Sequence, residues 1–348
     1  MKPRQRPIWI LVVTVIAGGG YLLLRHPYSR VVTLLSQVPT VAVAQVDGHV
    51  TMLTASGDLW LWNPVGAPQP LWSQPLHIST PPERCIGSAG DQVMLTGVDG
   101  SISAWTLSNR QLRWRSTIGE PLAGCPTLGK GAVLVCGRSG IVYCIDLATG
   151  ASLWRRDLHA PACAHPAWWD GRWWIPVRGQ KLVSLSADGK SVTGLSLKGD
   201  ALATAITDKA LWVSIVPTMI QVFRKSAPTI DIPLDATPLW LLPARRGLVA
   251  VAATGEVVAL FDVGRTITPI WSRKLPPKIT AASLGPSPGG GSRCALGTLS
   301  GQVLLLDGTT GENLDSISLP TKAPIDLAVG DSFLAAAGDE GAWLCQGQ

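Results

Sequence analysis

Cysteines, histidines and carboxylates are the side chains here that could do chemistry, and their spacing argues against most of it. The seven cysteines include no C-x-x-C pair, so neither a zinc ribbon nor a dithiol redox motif is indicated. Cys136 and Cys144 flank one tight turn, yet no hairpin register sets them directly opposite. Cys85, Cys125 and Cys163 lie early in successive sequence units. A disulfide such as Cys125 with Cys163 suits an oxidising compartment, but buried free thiols acting as small apolar groups are the favoured reading. The odd count leaves at least one thiol unpaired within the chain. His165, close to Cys163, reads as hydrogen-bonded packing before it reads as a ligand. Glu83, Asp200, Asp235 and Asp326 stand apart and form no oxygen-ligand string. No local Ser-His-Asp arrangement or Gly-rich phosphate loop occurs, so no catalytic, cofactor-binding or metal-binding residue is assigned.

The most unusual segment is Ala167 to Trp174, AWWDGRWW. Asp170-Gly171 is a strong two-residue hairpin turn, and pairing around it sets Trp168 opposite Trp173. Neighbouring tryptophans then point to opposite faces. One reading is packing against neighbouring units. The other is an aromatic docking surface, since Trp and Arg are favoured in binding hot spots. Trp168, Trp169, Arg172, Trp173 and Trp174 are therefore the candidate protein-binding residues. Leu59-Trp60-Leu61-Trp62 raises the same question more weakly.

The elements that position these residues recur. Gly137 to Trp154 (GRSGIVYCIDLATGASLW) reads as a tight turn, an alternating strand, a second turn and an outer strand ending on Trp. Gly97 to Trp114, Ala253 to Trp271 and Gly297 to Asp315 repeat it, and Ala55 to Trp72 is a looser copy. The turn before the third strand falls at Gly57, Gly100, Gly140, Gly179, Thr218, Gly255, Gly301 and Gly341, at spacings of 43, 40, 39, 39, 37, 46 and 40. Units near forty residues with about four strands each imply propeller blades. The expected fold is all-β: an eight-bladed propeller of four-stranded antiparallel blades over residues 31–348. The last unit ends after one strand beyond Gly341, and RVVTLLSQVPT at Arg30 to Thr40 resembles NLDSISLPT at Asn313 to Thr321. Residues near 31–38 are thus expected to complete the eighth blade. Trp72, Trp114, Trp154 and Trp271 recur on outer strands, where a large ring can lie between blades.

The first thirty residues differ in kind. Residues 1–7 carry Lys2, Arg4 and Arg6, residues 8–24 run without a charge, and 25–30 form a short linker with Arg25 and Arg30. Seventeen residues at 1.5 Å each cover roughly 25 Å, just enough for a thin bilayer. The cationic start favours residues 1–7 in the cytoplasm and export of the rest. The expectation is one uncleaved N-terminal transmembrane helix in a bacterial inner membrane, in preference to a cleaved signal, with the propeller in the periplasm. Those thirty residues hold five of the 29 Lys and Arg and none of the 23 Asp and Glu. The remainder is close to neutral, which speaks against a nucleic-acid-binding surface.

The segment Tyr143 to Trp154 resembles the quinoprotein-type (PQQ-like) repeat, whose core is Asp-x-x-Thr-Gly-x-x-x-Trp: Asp146, Thr149, Gly150 and Trp154. Asp307 to Gly311 is a second match, with Asp315 in place of the Trp, and Asp262 with Trp271 a partial third. Asp146, Asp262 and Asp307 read as turn residues. Within these propellers the chain is most similar to the BamB family of outer-membrane β-barrel assembly. That resemblance implies a non-enzymatic periplasmic scaffold without a cofactor, docking on envelope proteins of an outer-membrane or other inner-membrane complex through propeller loops. The family members are lipoproteins, and this chain has no Cys before Cys85 to accept a lipid. Two alternatives remain. A PQQ-dependent dehydrogenase would need a Ca²⁺ site and an Asp base, and a sensing propeller would bind peptide or glycan in its channel. The WD-repeat signature is only half present, at Gly48-His49 and Trp169-Asp170, in the wrong positions.

Overall fold

A computed structural model describes residues 31–65, 69–75, 86–97, 99–263, 266–276, 278–287 and 291–346. The expected anchor at 8–24 and the carboxylate of Glu83 lie outside the described residues, as does Cys85. Among the described residues no helix is long and apolar enough to cross a membrane.

The chain forms eight four-stranded antiparallel sheets. A leading strand, β1 (Val31–Ser36), precedes the first sheet, which holds β2 (Thr40–Val46), β3 (His49–Thr54), β4 (Asp58–Asn63) and β5 (Gln69–Pro75). The second sheet runs β6 (Gly87–Ala89), β7 (Gln92–Thr96), β8 (Ser101–Thr106) and β9 (Gln111–Thr117). The third is β10 (Thr127–Gly129), β11 (Ala132–Cys136), β12 (Ile141–Asp146) and β13 (Ser152–Asp157). The fourth is β14 (Ala167–Trp169), β15 (Arg172–Val177), β16 (Lys181–Ser186) and β17 (Val192–Ser196). In the fifth lie β18 (Ala201–Ile206), β19 (Ala210–Ile215), β20 (Met219–Arg224) and β21 (Ile230–Pro233). The sixth has β22 (Pro238–Ala244), β23 (Gly247–Ala252), β24 (Glu256–Val263) and β25 (Thr266–Lys274). The seventh has β26 (Ile279–Pro286), β27 (Ser292–Thr298), β28 (Gln302–Asp307) and β29 (Asn313–Ser318). The eighth has β30 (Asp326–Val329), β31 (Phe333–Gly338) and β32 (Gly341–Gln346), and β1 pairs antiparallel with β32 as its fourth strand.

The first strands β6, β10, β14, β18, β22, β26, β30 and β2 touch in succession, and the β30–β2 contact joins the last sheet to the first. This is a closed eight-bladed propeller. Closure matters because the outer place of the eighth sheet would otherwise be an unpaired edge.

The apolar core is not one mass. It is eight clusters, one at each joint between neighbouring sheets. Because each sheet is covered on both faces, its middle strands are buried along their whole length, as in β11, β23 and β31. At seven of the eight repeat turns a glycine takes φ between +83° and +136°, a region costly for any residue with a Cβ. The eighth turn, at Thr218, follows a cis Val216–Pro217 bond instead.

Candidate functional site

The repeat residues join blades. Asp146 Oδ1 accepts hydrogen bonds from the backbone N–H groups of Ala148 (3.0 Å) and Thr149 (2.8 Å) and from the Thr149 hydroxyl (2.8 Å). The Thr149 bonds hold its carboxyl below the usual carboxylate range. Gly150 then turns the chain at φ +74° and leaves room for an indole from the preceding sheet. A Cβ on Gly150 would lie 2.6 Å from the ring of Trp114, whose Nε1 donates to the Leu147 carbonyl at 2.9 Å. Trp154 sits likewise on Gly189 and donates to Ala187 O, and Trp271 sits on Gly311 and donates to Gly308 O. Asp307 repeats the Asp146 turn through Thr309 and Thr310. Trp72 pairs with Leu61 across β4 and β5. Asp315 occupies the Trp position opposite Leu305, and the next sheet there has no third-to-fourth-strand turn, since β1 fills its outer place.

Asp262 departs from its expected role. In register Phe261 faces Gly247 as Asp146 faces Ala132, so Phe261 holds the turn-aspartate place. The β24–β25 hairpin continues pairing through Asp262↔Ile267 and Val263↔Thr266, which carries Asp262 into the ladder. Its carboxylate instead pairs with Arg224 of the fifth sheet at 2.5 Å, the two side chains being only 4% and 9% exposed. Arg224 faces Ala210 and so itself stands in the turn-aspartate register of its own sheet. Asp262 Oδ2 has no hydrogen-bond partner.

The tryptophan hairpin has the expected register, with Trp168↔Trp173 in contact at 4.6 Å between centroids and 60° between planes. Its faces are both blade joints. Trp173 is 1% exposed within the third–fourth cluster, and Trp168 packs over Gly129 of β10. Trp169 and Trp174 face the fifth sheet. The Arg172 guanidinium is consumed in its own sheet by Ser184 and the Ser191 carbonyl. Trp173 and the Arg172 guanidinium are thus engaged within the blades, both faces of which meet a neighbour. Trp60 and Trp62 stack toward the eighth sheet, with Trp62 in the closing cluster.

Cys125 is disulfide-bonded whereas Cys163 is a free thiol, so the pairing of these two is not formed. Cys136, Cys144 and Cys294 are buried free thiols, and Cys345 is buried as well. Burial pushes Cys136 and Cys294 up to about 12 and Cys144 to about 11, which leaves them protonated and unreactive. His165 is exposed, its ring beside Gly124. Asp200 and Asp235 are exposed and far apart in sequence, and among the described residues no three His, Cys, Asp or Glu converge on a point that could hold a metal. Two carboxylates matter in ways their positions in sequence did not signal. Glu120 is partly buried, which disfavours its charge, yet hydrogen bonds from Ser139 and Tyr143 outweigh this and hold its carboxyl low. Asp326 accepts from Val43 N–H and Leu327 N–H, linking the eighth sheet to the first, and burial raises it to about 7.

The hairpins joining first to second and third to fourth strands share one face of the ring, as antiparallel alternation requires. Two cavities open there beside the fifth sheet. One, of about 880 Å³, lies between the turns of the fourth and fifth sheets and includes Trp169, Asp170, Lys209, Arg224 and Lys225. The other, of about 280 Å³, lies between the fifth and sixth and includes Lys209, Arg245, Arg246 and Asp262.

The family model described as outer membrane protein assembly factor BamB matches residues 98–341. The chain belongs to this family. A BamB of Shewanella oneidensis is 26% identical over 192 residues, which cover 54% of this chain and 42% of that relative, so the match spans less than half of the relative's length. The crystal structure of BamB from Moraxella catarrhalis superposes with a TM-score of 0.70 at 16% identity, covering 91% of this chain and all of that one. The computationally designed Ika8 protein (TM-score 0.74, 16% identity, 90% of this chain and 97% of that one) shares the fold as well. So does the C-terminal WD40 domain of Sif2 (0.75, 11%, 91% and 98%). In this BamB-family propeller the groups that carry the repeat pack sheet against sheet. Exposed chemistry is left to the turns and loops of the two ring faces.

Proposed function

We propose that this chain is a non-enzymatic scaffold or assembly factor of the bacterial envelope, binding other proteins through propeller loops. Membership of the BamB family supports an assembly-factor type of role. The observation that carries the reading is the fate of the reactive groups. The repeat aspartates cap turns, the repeat tryptophans dock on glycines of the next blade, and the free thiols with the highest pKa are buried. In the proposed arrangement residues 8–24 hold the chain in the inner membrane and the ring lies in the periplasm. Among the tryptophan candidates, Trp169 borders the larger cavity and is the one best placed to meet a partner. Crosslinking in intact cells followed by affinity capture tests the proposal. A stable envelope complex is expected, and repeated recovery of the free chain alone would overturn it.

A further inference from the structure

The two cavities beside the fifth sheet share Asp208 and Lys209 and form one groove across the fourth, fifth and sixth sheets. Its charge is lopsided. Lys225 is bridged to Asp170 at 3.0 Å and Arg224 to Asp262, whereas Lys209, Arg245 and Arg246 are exposed with no ion-pair partner among the described residues. Against these three cations the groove sets only the exposed Asp208. The groove is therefore electropositive at its rim, where counter-charge on a ligand would be favoured.

Its floor asks for something else. Asp262 lines the smaller cavity, and its buried Oδ2 accepts no hydrogen bond. A buried acceptor with no donor has lost its hydration without compensation, so a ligand that brings a donor gains by satisfying it. We propose that this groove docks an acidic polypeptide segment in extended form. Its carboxylates pair with Lys209, Arg245 and Arg246, and a backbone N–H donates to Asp262. A phosphodiester group matches the rim but is itself only an acceptor, and Asp170 and Asp208 oppose a flat anionic bilayer. The indole of Trp169 provides an apolar wall at the far end. The proposal deepens the scaffold reading and rests on it for the class of partner.

The test uses the whole chain in detergent and a fluorescein-labelled ten-residue peptide of alternating Glu and Ala, read by fluorescence anisotropy. Saturable binding is expected, weakening with added salt, while the Lys-Ala counterpart does not bind. Lys209→Glu with Arg245→Glu and Arg246→Glu should weaken binding at least tenfold with the melting temperature unchanged. Arg110→Glu with Lys130→Glu, on the same face of the second and third sheets, should leave it unaltered. Methylating the peptide's amide nitrogens should weaken binding at least fivefold. Absence of peptide binding, equal loss in the two charge-reversal variants, indifference to methylation, or binding of phosphatidylglycerol vesicles in place of the peptide would each overturn the proposal. None of those results would touch recovery of an envelope complex from cells, so the scaffold reading fails or survives separately.

Discussion

The joints of this ring are built in two ways. At the second–third, third–fourth and sixth–seventh joints, an outer-strand tryptophan reaches across, rests on a glycine of the next sheet and donates to a turn carbonyl. At the fourth–fifth and fifth–sixth joints the matching positions, opposite Ser184 and Val222, are Thr193 and Ile230. No outer-strand indole crosses there, and the two cavities lie at these joints. The fifth–sixth joint is instead held by a buried Arg224–Asp262 pair. Packing the repeat faithfully makes a closed seam, and departing from it leaves a recess lined by charge.

Breaking either kind of joint should cost most where burial is deepest. Trp114 is 7% exposed, and Trp114→Ala should lower unfolding stability by about 3–5 kcal/mol, read from the denaturant midpoint. Trp173→Gln belongs to the same class, since its ring is 1% exposed. At the charged joint, Arg224→Ala or Asp262→Ala strands one ion in the interior and should also cost about 3–5 kcal/mol. The joints differ in the double variant: Arg224→Met with Asp262→Leu should recover most of that loss, because it removes both desolvation costs together. If the double variant is as unstable as either single one, the pair contributes more than mutual neutralisation. Gly150→Ala is smaller, about 1–3 kcal/mol, from a Cβ that meets Trp114 and a backbone at φ +74°.

The sequence made the faithful joints legible and hid the others for a physical reason. Glycine turns and the Asp146-Thr149-Gly150-Trp154 pattern are local, so spacing alone exposes the period. Asp262 was misread because a hairpin three pairs longer than that of Asp146 leaves the motif letters nearly unchanged while shifting the register by one. Arg224 gave no signal at all, since its partner lies 38 residues away in the next sheet. For AWWDGRWW, alternation correctly divided the tryptophans between two faces. It carried no information on which face meets water, because in a propeller both faces of a blade meet another blade. The bonded state of Cys125 was equally out of reach, connectivity not being encoded in cysteine spacing.

The ring closure offers a third kind of joint and a pH test. Asp326 keeps its proton in the folded chain up to about pH 7, while the unfolded chain releases it near the ordinary value of 3.8. Between those limits the folded state binds more protons, so Asp326 makes stability fall as pH rises, by up to about 1.4 kcal/mol per pH unit, and its contribution levels off above 7. Asp326→Asn should flatten that slope in denaturant titrations from pH 4 to 8. A slope unchanged by the substitution would mean that the closing contact is not the source of the pH dependence.

The smallest expected change separates recess from seam. Trp169 and Trp173 belong to one hairpin, but Trp169 is half-buried at the edge of the larger cavity and its contact with Trp174 is a tilted one at 5.8 Å. The hydrogen bond from Trp174 ends on the Trp169 backbone carbonyl, so it survives a change of side chain. Trp169→Gln should therefore cost about 1 kcal/mol or less in stability while reducing capture of envelope partners. If the melting temperature falls as far as for Trp173→Gln, Trp169 is part of the seam. If stability holds and capture is also undiminished, the recess exists without the partner that its aromatic wall was taken to meet.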